Sequence, residues 1–148
     1  MTTTTYTIRS ARPDELAWIN ERYAEIDFVA SGPGDQIAVA EADGVIAGLG
    51  RIVPVEPHVG ELGGMYVFSG YQGLGLSKRL IAFLREVPGY RTLYCLPFGE
   101  LEELYASMGF KRVGSNESVP EHVARKHSWC NRHYPKPVLM MRYLRGQR

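Results

Sequence analysis

The hydrophobic positions of this chain follow two periods in turn. In YTIRSA, residues 6–11, apolar and polar side chains alternate, which predicts a strand preceded by a frayed, Thr-rich stretch over residues 1–5. RPDELAWINERYAEI then places Leu16, Ile19 and Tyr23 on one helical face, with Pro13 in the first turn and Asp14 and Glu15 at the positive end of the helix dipole. GPGD breaks that pattern. QIAVAEADGVIAGLGRIVPV, residues 36–55, reads as a hairpin turning around Asp-Gly. VGELGGMYVF adds a third neighbouring antiparallel strand, in which Gly63 and Gly64 mark a bulge or a close backbone approach.

Beyond residue 73 the helical period returns. Leu76, Leu80, Ile81 and Leu84 form one apolar stripe that VPG, residues 87–89, terminates. RTLYCLPF is a further strand, and GELEELYASMGF a second amphipathic helix with Leu101, Leu104, Tyr105 and Met108 on its apolar face and Gly109 as its cap. VLMMRYL supplies the last strand. Residues 114–137 are polar, hold three prolines and show no period, so they are expected as a long loop, and long loops are often functional. No repeat or linker divides the chain, which predicts a single domain over residues 1–148 of mixed α/β, α+β type.

Composition narrows the function. A chain of 148 residues with 45% hydrophobic and 22% charged residues is an ordinary globular domain. No apolar run reaches the ~20 residues that span a bilayer, so no membrane partner is expected. The first residues lack a basic start followed by an apolar core, and two cysteines, Cys95 and Cys130, make no disulfide framework; both point to the reducing cytoplasm. A net charge of +1 gives no reason to expect nucleic acid, which leaves a small molecule as the expected partner.

The stretch YVFSGYQGLGLSKRL, residues 66–80, carries the chemistry. A strand that enters a Gly-rich turn and opens a helix directs several backbone N–H groups, with the helix dipole behind them, toward one point where an anion can bind. The spacing does not fit a P-loop, because Lys78 follows Ser77, nor a dinucleotide fingerprint, because GLGLSK lacks the third glycine and lies mid-chain. A plain strand-to-helix connection remains the alternative at this point.

YQGLGLS fits the pattern Arg/Gln-x-x-Gly-x-Gly/Ala, with Gln72 first, Gly75 fourth and Ser77 replacing the usual small last residue. LYASMGF follows after an intervening strand. In that order and separation these motifs resemble the GNAT superfamily of acyl-CoA-dependent N-acetyltransferases, from about Tyr6 to Val113 and again at the final strand. The resemblance implies a mostly antiparallel central sheet with flanking helices and one parallel, splayed strand pair. It implies acetyl-CoA as co-substrate and transfer of its acetyl group to a primary amine of a small molecule or peptide in a ternary complex.

By the same resemblance, the backbone of Gln72, Gly73, Leu74, Gly75, Leu76 and Ser77 holds the pyrophosphate of coenzyme A, with Lys78 and Arg79 adding charge. Met65, Tyr66 and Val67 pair with the pantetheine arm and polarise the thioester carbonyl. Tyr105 protonates the leaving thiolate. Glu61 matches the place where some members carry a catalytic Glu, with Gly60, Gly63 and Gly64 leaving room for substrate, while other members use no dedicated base. Many members place a cofactor-contacting Asn seven residues before the Tyr; here that residue is Phe98, which lines the acyl pocket or pantetheine instead.

The segment 114–137 is expected as a lid over the acceptor site, with Trp129 and Tyr134 as apolar walls and Arg125, Lys126 or Arg132 as anion contacts. His122, His127, Cys130 and His133 are spaced to reach one metal, but structural zinc sites rely on more thiolates and tighter pairs, so no metal is expected. No acyl-enzyme is expected either, since neither cysteine has a His and acid partner that the sequence can place beside it. Two rival readings stay open: a non-catalytic CoA-binding regulatory module of the same fold, and an unrelated phosphate-binding domain. The amine acceptor, the acyl preference and homodimerisation also stay open.

Overall fold

A computed structural model describes residues 3–146. The chain runs β1 (Tyr6–Ser10), α1 (Leu16–Glu25), β2 (Gln36–Ala42), β3 (Val45–Glu56), β4 (Val59–Val67), α2 (Leu76–Arg85), β5 (Thr92–Cys95), α3 (Glu102–Ser107), β6 (Lys111–Arg112), α4 (Glu121–His133) and β7 (Met141–Leu144). The strands form one mixed sheet in the order β1-β2-β3-β4-β5-β7-β6, with β4 and β5 as its parallel pair. The architecture is the expected α+β one. Among the described residues no helix is long and apolar enough to cross a membrane.

The contacts of the chain gather into two compact units, Met1–Val53 with Gly64–Val87, and Pro54–Gly63 with Pro88–Arg148. In the first, Ile19 and Tyr23 of α1 lie one turn apart and bury fully against Ile37 and Val39 of β2 and Leu49 of β3. Helix α2 buries Leu76, Leu80, Ile81 and Leu84, the stripe read from the sequence. A side chain at Gly50 would stand 3.2 Å from Leu84 Cδ1 and 2.7 Å from Met65 Sδ, so the bare β3 backbone leaves the space those two side chains fill.

A 3-10 turn, Pro13–Glu15, leads into α1. Residues 1 and 2 of the expected frayed stretch lie outside the described residues. Thr5 is not frayed: it exchanges 2.9 Å hydrogen bonds with Asp43 at the hairpin turn. Glu15 accepts two 2.8 Å bonds from the Arg9 guanidinium and one from the Arg12 N–H. The bond from Arg9 outweighs the opposing effect of burial, and with Arg12 N–H it holds the Glu15 carboxyl down at about 2, against an ordinary 4.5. A folded value below the unfolded one stabilises the protein above pH 4.5, and that stability is lost as pH falls toward 2. After solvent screening we expect Glu15→Gln to remove about 1 to 2 kcal/mol at neutral pH, a gap that urea denaturation shows closing as the acid limit is approached.

In the second unit β7 lies between β5 and β6, paired Thr92↔Leu144 to Cys95↔Met141 on one side and Lys111↔Arg142 and Arg112↔Met141 on the other. The two-residue β6 is too short to carry a period and has no counterpart in the sequence reading. The expected strand over residues 138–144 is confined to Met141–Leu144, with Val138 making only an isolated bridge to Phe98. The expected helix over residues 99–110 opens with a 3-10 turn, Gly99–Leu101, whose Leu101 is 39% exposed rather than on the buried face.

The largest departure is at 114–137. This stretch is not a continuous loop: α4 occupies thirteen of its residues. Its apolar face is only Val123 and Cys130, two turns apart, while Trp129 is 47% exposed, so no amphipathic stripe is visible in the sequence. Local signals favour the helix all the same: Pro120 precedes it, Glu121 lies in its first turn and pairs with Arg125 one turn on, and Arg132 and His133 lie in its last turn.

Candidate active site

Strand β4 leads into the glycine turn. Its parallel pairing with β5 covers Val59↔Thr92, Gly60↔Leu93 and Glu61↔Tyr94 and extends no further along β4. Val67, at its end, accepts a 3.1 Å hydrogen bond from the Gln72 side-chain amide, which closes the turn on the strand that precedes it. Gly73 and Gly75 have φ of +78° and +80°, where L side chains are strained, and Gly75 is the residue from which α2 starts. Added side-chain atoms at either would meet nothing within 4 Å. Space, then, is not what requires glycine here; backbone conformation is.

Among the described residues, the N–H groups of Gly73 through Lys78 donate to no backbone carbonyl outside the helix, and Leu76, Ser77 and Lys78 are first-turn residues with no carbonyl behind them. These donors, at the positive end of a ten-residue helix, can hold an anion. Of the two basic residues, Arg79 is committed elsewhere, donating 3.0 Å to Tyr6 O on β1. Lys78 is exposed. Met65 covers Gly50, and Tyr66 packs edge-on against Phe68 at 4.8 Å with its hydroxyl 3.3 Å from Glu25.

The second unit carries the titratable candidates. Glu61 on β4 is 6% exposed, and its Oε2 accepts a 2.7 Å bond from Lys126 Nζ of α4. Lys126, expected as an anion contact, is thus already paired, and the sequence offered no sign of this because 65 residues separate the two. A β-carbon at Gly63 would make only an ordinary 3.8 Å contact with Glu61 Oε2, so a side chain there would not by itself crowd the carboxylate.

Tyr105 of α3 is 4% exposed, its ring edge-on to Phe110 at 5.5 Å. Among the described residues its hydroxyl has no hydrogen-bond partner. Burial, reinforced by the Cys95 thiol, pushes its pKa well up, so the phenol is neutral and a donor at physiological pH. Burial likewise raises both thiols, with the Glu61 charge adding to the effect; at Cys130 Lys126 opposes it. Little thiolate forms in such surroundings.

Phe98, in place of the expected Asn, packs edge-on against Tyr134 at 5.4 Å and bridges Val138 through its backbone. Trp129 stacks on His133 at 4.3 Å. His127 Nε2 lies 2.7 Å from Val138 O and is spent there. Among the described residues no three His, Cys, Asp or Glu side chains converge as metal ligands would.

The family model of the acetyltransferase (GNAT) domain matches residues 33–112. The chain belongs to the GNAT acetyltransferase family. The match takes in the hairpin, β4, the glycine turn, α2 and the Tyr105 helix. No curated protein matches the sequence. Among solved structures, N-acetylglutamate synthase from Neisseria gonorrhoeae, in complex with coenzyme A and N-acetyl-glutamate, is similar at 18% identity and TM-score 0.66, over 99% of this chain and 36% of that one. This GNAT chain therefore spans about a third of that enzyme. Rv2747 from Mycobacterium tuberculosis, in a complex containing CoA, is similar at 15% identity and TM-score 0.72, over 93% of this chain and 98% of that one. A spermidine N-acetyltransferase SpeG chimera from Vibrio cholerae and hSSAT is similar at 16% identity and TM-score 0.63, over 94% of this chain and 95% of that one. At these identities the likeness concerns the GNAT fold.

Proposed function

We propose that the protein is an acyl-CoA-dependent N-acetyltransferase that transfers the acetyl group of acetyl-CoA to a primary amine by direct attack. The observation that carries this reading is the run of uncommitted N–H groups from Gly73 to Lys78 at the start of α2, in a GNAT domain whose solved relatives include CoA complexes. The residues present suit coenzyme A: the turn offers donors without intruding side chains, and Lys78 offers an exposed charge.

Acetyl-CoA supplies a carbonyl already activated as a thioester. The backbone from Gln72 to Ser77 holds its pyrophosphate, and Met65, Tyr66 and Val67 pair with the pantetheine arm along the stretch of β4 beyond its pairing with β5. N–H groups of that stretch stabilise the oxyanion as the amine adds to the carbonyl. Tyr105 gives its phenolic proton to sulfur as the C–S bond breaks and recovers it from solvent. Glu61 takes the proton the amine loses, a role that requires the 2.7 Å bond from Lys126 to be given up. The raised pKa values of Cys95 and Cys130 argue against an acyl-cysteine intermediate. The relatives named for glutamate and spermidine chemistry support a small amine as the acceptor class.

Calorimetry with acetyl-CoA and with ATP, on wild type and on Gly75→Glu, tests this reading. Wild type is expected to bind acetyl-CoA in the micromolar range and well ahead of ATP. In Gly75→Glu a carboxylate enters the anion site and φ of +80° is strained, so affinity is expected to fall by about 30-fold or more in a protein whose circular dichroism is unchanged. Binding of acetyl-CoA no tighter than ATP would return the turn to a generic phosphate site.

A further inference from the structure

Arg51 of β3 is 8% exposed, yet among the described residues it forms no ion pair. Its Nη1 donates to Val29 O at 2.8 Å and to Ser31 Oγ at 2.6 Å, both neutral, and its Cζ lies 4.4 Å from the centroid of the Tyr23 ring. Arg9, in the same unit, has both Glu15 and Glu41. A guanidinium withdrawn from water is normally matched by a carboxylate; here, among the described residues, none lies within ion-pair distance, although Asp35, like Arg51, acts electrostatically on the Tyr23 hydroxyl.

The unused donors lie together. Nη1 is occupied, while Nε and Nη2 have no acceptor among the described residues, and neither is sealed from solvent. That edge of the guanidinium stands over Gly64: a side chain there would come within 2.8 Å of Arg51 Nε and of Tyr23 Oη. Glycine at 64 is therefore what lets the guanidinium lie here with Nε and Nη2 uncovered by a neighbouring side chain. Parallel N–H donors on Nε and Nη2 fit the two oxygens of one carboxylate. Gly64 directly precedes Met65, the first of the residues assigned above to the thioester end of acetyl-CoA.

We propose that Arg51 anchors the carboxylate of the acceptor, and that the acceptor is an amino acid, its amine close to its acid group, rather than a polyamine or other amine with no carboxylate. This rests on the acetyltransferase reading. The loop from Asp27 to Ser31 completes the anchor, because the Val29 and Ser31 bonds fix Nη1 and so aim the opposite edge. Ser31 is itself held by Asn20, through bonds of 2.7 and 2.9 Å.

The first test needs no turnover. The Arg51 Nε–H resonance of wild type, assigned by its loss in Arg51→Lys, is followed while the protein is titrated with the proteinogenic L-amino acids, their α-decarboxylated amines and inorganic phosphate. At least one amino acid is expected to shift it saturably, with its amine and phosphate silent. Acetyl transfer from acetyl-CoA is then measured on the same pairs: the acid is expected to exceed its amine by about 100-fold in kcat/KM. In Arg51→Gln that advantage disappears through KM, and Arg51→Lys keeps part of it. If no amino acid moves the resonance, or phosphate moves it equally, the anchor is refuted whatever the turnover. Acid and amine transferred equally well by wild type would refute it too. A shifted resonance with no transfer to any compound would keep the carboxylate site and refute the acetyltransferase reading instead.

Discussion

Tyr105→Phe is expected to lower kcat by about 100- to 10,000-fold while leaving the melting temperature and acetyl-CoA affinity nearly unchanged. The ring is 4% exposed and packs on Phe110, so its apolar contribution survives in phenylalanine. The hydroxyl has no hydrogen-bond partner among the described residues, so its removal breaks no bond in the resting protein. Its pKa lies above the ordinary tyrosine value because burial disfavours the phenolate, and it therefore stays protonated through and beyond the neutral range. A proton donor to sulfur needs that state. Steady-state thiol release, with calorimetry and a thermal melt on the same samples, makes the comparison. A kcat within a few-fold of wild type would hand the proton to solvent and leave Tyr105 as a core aromatic. If wild type itself binds acetyl-CoA but turns over no amine, the protein is a CoA-binding module rather than an enzyme.

Gly64→Ala is expected to be the most damaging small substitution, removing about 3 to 5 kcal/mol in urea denaturation. Two effects add. At φ of +62° a β-carbon is disfavoured by about 1 to 2 kcal/mol. The new methyl would also stand 2.8 Å from Arg51 Cγ, Arg51 Nε and Tyr23 Oη. Neither neighbour can retreat easily: Tyr23 is fully buried and donates 2.8 Å to Gly64 O, and Arg51 is fixed by Val29 and Ser31. Gly75→Ala is the control, because its φ of +80° is equally strained but its surroundings are open. It is expected to cost only the backbone part, about 1 to 2 kcal/mol. Equal losses in the two variants would mean that the Arg51 and Tyr23 cluster yields freely, and the close approach at Gly64 would then carry no packing energy.

Where hydrophobic period and turn chemistry agree over a whole element, the sequence alone determined the outcome. Helix α2 buries the four residues its spacing assigns, the β2–β3 hairpin turns at Asp43-Gly44, and Gly64 is a close approach as its place in the strand suggested. The order of the glycine turn and the LYASMGF helix was also legible, because both motifs are contiguous in the chain. These signals are local, and backbone preferences act locally.

What escaped depends on residues distant in sequence. Helix α4 has a buried face of two side chains, too thin to print a period. Its Lys126 finds Glu61 only once the chain has folded, which turns an expected catalytic carboxylate and an expected loop cation into one half-buried ion pair. Arg51 lies in a run from Ala47 to Ile52 that is buried throughout instead of alternating, and no local pattern marks an arginine whose bonded partners are all neutral. Burial and pairing of charge are properties of the packed chain, because desolvation is decided by every element that closes over a group. So the family and the glycine turn were readable from the order of residues, whereas the pairing of Glu61 and the neutral partners of Arg51 were decided only by tertiary structure.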